Sequence, residues 1–107
     1  MWAHPDFLIL FAAGNSGVDK DKDGRIDANS VGTPGTSKNA LTVGASENLT
    51  DKGGIQKKIS ELKGAADKWG AEPIFSSKIS DNPEGMAMFS SRGPTKDGRL
   101  KPEIVAP

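Results

Sequence analysis

Four carboxylates and one amide carry the chemistry this sequence offers. In Asp19-Lys20-Asp21-Lys22-Asp23-Gly24-Arg25-Ile26-Asp27, acids stand at relative positions 1, 3, 5 and 9, with glycine at 6 and isoleucine at 8. That order matches the first nine positions of an EF-hand-type calcium loop, in which alternating carboxylates wrap oxygens around one hard cation. Asp19, Asp21, Asp23 and Asp27 would supply side-chain oxygens, and Arg25 a backbone carbonyl. The pattern departs at position 12, where Ser30 replaces the closing bidentate acid, and no amphipathic helix flanks the loop. A solvated turn whose carboxylates are neutralised by nearby lysines is the alternative. The Asp-Gly-x-Ile placement favours calcium.

The amide is Asn15. It follows the apolar run Phe7-Leu8-Ile9-Leu10-Phe11-Ala12-Ala13 and stands between Gly14 and Gly17. A short apolar run closed by a turn signal predicts a strand buried on both faces, as in a parallel sheet. Open parallel sheets bind ligands beyond the carboxyl ends of their strands, where Asn15 would sit. Glycine lets backbone approach a ligand closely, and the amide N–H can be presented to an oxygen. Taken alone, the stretch reads more simply as a buried strand ending in an ordinary Asn-containing turn.

The elements that must position these groups are few. Asn39–Ala45 predicts a second short strand after the turn cluster Gly32-Thr33-Pro34-Gly35-Thr36, and Ile104-Val105-Ala106 the start of a third. Ile55, Ile59, Leu62, Ala66 and Trp69 recur at helical spacing, which predicts one amphipathic helix opening near Asp51 or Gly53 and stopping at Gly70. Residues 71–85 read as a loop, broken by Pro73, Pro83 and Gly85.

Composition bounds the function. Lysine plus arginine and aspartate plus glutamate number 14 each in 107 residues, so a nucleic-acid or anionic-membrane partner has no electrostatic case. The absence of cysteine excludes disulfides, thiol catalysis and thiolate metal sites. The longest apolar run is about one-third of a membrane span. The first residues, Met1-Trp2-Ala3-His4-Pro5-Asp6, lack the basic region and apolar core of a signal peptide.

Three motifs, in this order, resemble the subtilisin-like serine proteases (subtilases). They are Ala12-Ala13-Gly14-Asn15-Ser16-Gly17, the stretch from Gly32-Thr33-Pro34-Gly35-Thr36 through Thr42-Val43-Gly44-Ala45, and Phe89-Ser90-Ser91-Arg92-Gly93-Pro94 through Lys101-Pro102-Glu103-Ile104-Val105-Ala106-Pro107. The resemblance implies an α/β fold, part of a doubly wound, mostly parallel sheet, here with one inserted amphipathic helix. Residues 1–107 would then form part of a subtilase catalytic domain, with a calcium-type loop at 19–30 and a helix-bearing insert at 51–85. It implies that Asn15 donates its side-chain amide to the oxyanion of the tetrahedral intermediate. It also implies that Ala12, Ala13 and Gly14 form one wall of the pocket for the substrate residue before the scissile bond, that Gly32 and Thr33 form its far side, and that Thr33–Pro34 is cis.

The family's Asp-His-Ser triad is not in this stretch. Gly35-Thr36-Ser37 spells the nucleophile's triplet, but Lys38-Asn39 follow it and it matches the pocket turn. His4, the only histidine, has no Gly-His-Gly-Thr context, and a serine without its base is a weak nucleophile. The expectation is an internal part of a secreted, calcium-stabilised serine endopeptidase, acting on peptide or protein substrates and inactive alone. A non-catalytic calcium- or peptide-binding module derived from the same fold is the alternative. Because the sheet of such a domain continues on both sides, the isolated chain is expected to be a homo-oligomer.

Overall fold

The computed structural model describes residues 6–48 and 55–107. His4 and the predicted helix openers Asp51 and Gly53 lie outside them. Three parallel strands, β1 (Leu10–Ala12), β2 (Leu41–Ala45) and β3 (Ile104–Ala106), form one sheet in the order β1-β2-β3. The register aligns Leu10 with Leu41 and Ala12 with Val43, then Val43 with Ile104 and Ala45 with Ala106. The parallel sheet and the single α-helix agree with the predicted α/β class. Thr33–Pro34 is cis, as are three other X–Pro bonds.

Two expectations about these elements are corrected. The strand Phe7–Ala13 is not buried on both faces: it shortens to three residues at the sheet edge, and Phe7, Leu8 and Leu10 are 64%, 65% and 55% exposed. Nothing among the described residues covers them. The continuous helix over 55–69 is also absent. Lys57 and Lys58 run extended instead, with Ile79 N–H donating to Lys57 O and Ile59 N–H to Ser77 O. A single 3-10 turn spans Ile59–Glu61, and α1 covers only Ala65–Trp69. Gly64, with φ +77°, breaks the repeat between them and turns Ala65, not Ala66, into the interior. The apolar spacing was read in the right place but with the wrong backbone.

The main apolar cluster therefore lies beside the sheet. Ile59, Ala65 and Met88 are its buried members, and Ile26, Leu62, Trp69, Ile74, Phe75, Ile79 and Phe89 pack around them. The insert, the acidic loop and the segment before Ser90 share this one cluster, which fixes both candidate sites relative to each other.

Polar ties join the strands where apolar cover is thin. Lys101, 4% exposed, donates from Nζ to Ala40 O at 3.1 Å and pairs with Glu103. Glu103 also accepts Thr42 N–H at 2.8 Å. Burial acts to raise the Glu103 carboxyl, but the bonds from Lys101 and Thr42 outweigh it and hold the group below its ordinary range. Buried Thr42 donates its hydroxyl to Gly35 O at 2.5 Å, seating the 32–36 turn on β2.

Candidate active-site turn and acidic loop

β1 delivers the chain to Ala13-Gly14-Asn15-Ser16-Gly17 at the carboxyl end of the sheet. Four backbone donors clamp this turn. Ala13 N–H donates to Val43 O at 2.8 Å, Gly17 N–H to Phe89 O at 2.9 Å and Ser91 N–H to Gly14 O at 2.9 Å, while Ser16 N–H reaches Ser91 Oγ at 3.0 Å. Gly14 has φ +102°, and a Cβ there would stand 3.1 Å from Ser91 Oγ. At Gly17 a Cβ would lie 2.3 Å from Met88 O, against rigid backbone. The backbone on each side of Asn15 is thus fixed while Asn15 itself is exposed. The clamp fixes the backbone from which the Asn15 side chain projects. Ser91, fully buried, is the partner that sequence reasoning passed over; its place in the Phe89–Pro94 motif was the only signal.

Ala12, Ala13, Gly14 and Asn15 line a groove of about 310 Å³ together with Gly44 and Ser90. Gly32 and Thr33 line a second groove of about 470 Å³ with Pro94 and Arg99. The structure places the two predicted pocket walls on separate grooves. At the rim of the second groove, the Arg99 guanidinium and then the Thr95 hydroxyl hold the Asp97 carboxyl down to about 2.

In the acidic loop, carboxylate oxygens of Asp19, Asp21 and Asp27 all lie within 4.8 Å of one another. Asp19 is fully buried and accepts Asp23 N–H at 3.1 Å and Gly24 N–H at 3.0 Å. Gly24 supplies the left-handed turn (φ +83°) against Glu72 of the insert. Asp23 stands apart from the three, its Oδ1 accepting Arg25 N–H at 2.8 Å. Ser30, at the closing position, is turned elsewhere: Arg92 N–H donates to its hydroxyl at 2.8 Å, and its own N–H to Arg92 O at 2.7 Å. A hydrogen bond with Asp19 is the main reason the Asp21 carboxyl is raised, with neighbouring acids adding to it. Neither ion pair found among the described residues, Arg99–Asp97 and Lys101–Glu103, involves a loop carboxylate.

A sequence model of the subtilase family matches residues 1–107. The chain belongs to the subtilases. Among relatives of this subtilase chain, pyrolysin of Pyrococcus furiosus is 34% identical over 94% of it, covering 6% of that protein. The serine protease AprX of Bacillus subtilis is 31% identical over 94% of the chain and 15% of its own length. The serine protease/ABC transporter B family protein tagB of Dictyostelium discoideum is 29% identical over the whole chain and 7% of its own length. The chain thus spans less than a sixth of each of these relatives. Subtilases are serine proteases. Among the described residues no helix is long and apolar enough to cross a membrane.

Proposed function

We propose that these residues are the part of a secreted serine endopeptidase domain that stabilises the oxyanion of peptide hydrolysis, with Asn15 as the side-chain donor. The attacking serine and its base would come from elsewhere in the domain, since the only histidine is His4. As the scissile carbonyl becomes tetrahedral its oxygen gains charge, and a donor already aimed at that position stabilises the transition state more than the substrate. The observation that carries the reading is the clamp: Asn15 is exposed at the carboxyl end of β1 while Gly14, Ser16 and Gly17 are tied to Phe89 and Ser91. Ala12, Ala13 and Gly14 would line the pocket for the residue before the scissile bond; Gly32 and Thr33, on a separate groove, would form its far side only if the two grooves join when substrate binds. Small residues at these positions leave room for a sizeable apolar side chain.

The same reading gives the acidic loop a calcium ion. Oxygens each 2.3–2.6 Å from one calcium lie no more than about 5 Å apart, and the oxygens of Asp19, Asp21 and Asp27 meet that limit. The donors are hard and anionic, and a cation would take the place of the hydrogen bond now shared by Asp19 and Asp21. Asp23 and the Arg25 carbonyl would complete the set after a small rearrangement. When bound, calcium would fix the loop and take no part in the chemical step.

Asn15→Ala in the full protein carrying this chain tests the assignment. The expected result is a kcat lower by about 10²–10³, a magnitude measured on subtilisin itself, with KM nearly unchanged. An equal loss through KM alone would refute the role.

A further inference from the structure

The insert reaches directly into the turn that carries Asn15. Trp69, the last residue of α1, donates its indole Nε1–H to Gly17 O at 3.0 Å, across 52 residues of sequence. The residue before it accepts from the acidic loop, Asp19 N–H donating to Lys68 O at 2.8 Å. One turn of helix is thus hydrogen-bonded both to the candidate oxyanion turn and to the candidate metal loop. The Trp69 ring packs in the cluster of Ile59, Ala65 and Met88, with the Lys68 ammonium 5.7 Å from its centroid. It is half-buried, so its N–H points at Gly17 from a seated ring.

We propose that Trp69 is a positioning residue for Asn15, and that the insert's function in this chain is to brace the oxyanion donor. The inference rests on the assignment of Asn15 above. Gly17 is held from two sides: its N–H by Phe89 O and its carbonyl by the Trp69 indole. Releasing the carbonyl side frees the peptide between Gly17 and Val18, so that Gly17 is held by its N–H alone and the Asn15 amide, two residues earlier, loses part of its support. An oxyanion donor acts only in the transition state, so the loss belongs in kcat and not in KM.

Trp69→Phe, made in the full protein, keeps a ring in the cluster and removes only the N–H donor. The expected result is a kcat about three- to tenfold lower with KM unchanged. Amide exchange should quicken at residues 14–17 and stay unchanged in β2. In an Asn15→Ala background the same change should cost less than twofold, since two residues acting through one contact are not additive. An unaltered kcat in Trp69→Phe, or costs that multiply in the double variant, would overturn the brace while leaving Asn15 in place. If Asn15→Ala itself leaves kcat unchanged, the donor assignment fails first and the brace with it. A Trp69→Phe protein that no longer folds, with wild-type exchange at Ser16 and Gly17 as fast as in the unfolded chain, would make Trp69 a packing residue only.

Discussion

At the scale of single residues, the acidic loop is the part most open to direct measurement. Asp19 is fully buried with its carboxyl group beside those of Asp21 and Asp27, and it accepts the N–H groups of Asp23 and Gly24. A divalent ion binding the folded state alone would raise the melting temperature with its concentration. Calcium is expected to do this and magnesium to do much less, because its small octahedral shell suits a wide, irregular loop poorly. Asp19→Asn should abolish the calcium-dependent shift. The affinity is expected to be modest, because Ser30 is committed to Arg92 and cannot close the shell. Titration calorimetry without heat, or a melt unchanged by chelator, would leave the loop a self-bonded acidic turn. The alternation of acids was legible in the sequence because spacing alone dictates which carboxylates can converge. That Asp23 stands outside the cluster was not legible, because its position depends on one local bond to Arg25 N–H.

At the scale of elements, the decisive contacts lie between segments far apart in sequence. Gly17 packs so closely on residues 88–90 that a methyl group would meet Met88 O at 2.3 Å and Ser90 O at 2.6 Å. Gly17→Ala is therefore expected to force the Asn15 turn off its seat. It should lower both the melting temperature and kcat in the full protein, whereas Gly98→Ser, with open space around the Cβ position but a left-handed φ of +84°, should lower the melting temperature alone. Thermal melts paired with kcat on the two variants would check this, and a silent Gly17→Ala would mean that the turn tolerates displacement. Strand positions were readable from apolar runs, and β2 and β3 fall where those runs stand. The helix expectation fails because apolar spacing fixes neither the backbone path nor the buried face: Ile59 is buried, but Ile55 and Ala66 are exposed. Backbone pairing of Ile59 and Ser60 with Ser77 and Phe75, together with the left-handed Gly64, competes with helical bonding and prevails over most of the segment.

At the scale of the whole molecule, the sheet has only three strands, and β1 and β3 are both edges. Phe7, Leu8 and Leu10 at one edge, with Ile104 and Val105 at the other, expose apolar surface that a small soluble domain ordinarily covers. The 107 residues prepared alone are therefore expected to self-associate at micromolar concentration and to lack peptidase activity. Light scattering on the wild type and on Phe7→Lys/Leu8→Lys would test the first point, the variant shifting toward monomer. A monodisperse wild-type monomer would show that the exposed edges are tolerated. The sequence named these strands correctly but read their apolar character as burial, and that burial depends on what lies against them.

The two ends of the segment between Glu47 and Gly85 meet. Glu47 N–H donates to Gly85 O at 2.9 Å, Ser46 bridges Met86, and the Glu47 carboxylate accepts the N–H groups of Asp81 and Asn82. Such a neck behaves as a socket: sequence of very different length can be plugged in without disturbing the strands it interrupts, because its ends are already closed. A replacement cassette between Glu47 and Gly85 must also supply apolar partners for Met88, because Ile59 and Ala65 of the main cluster lie inside it. Catalytic tuning would travel with the cassette, because the indole that touches Gly17 is carried inside it.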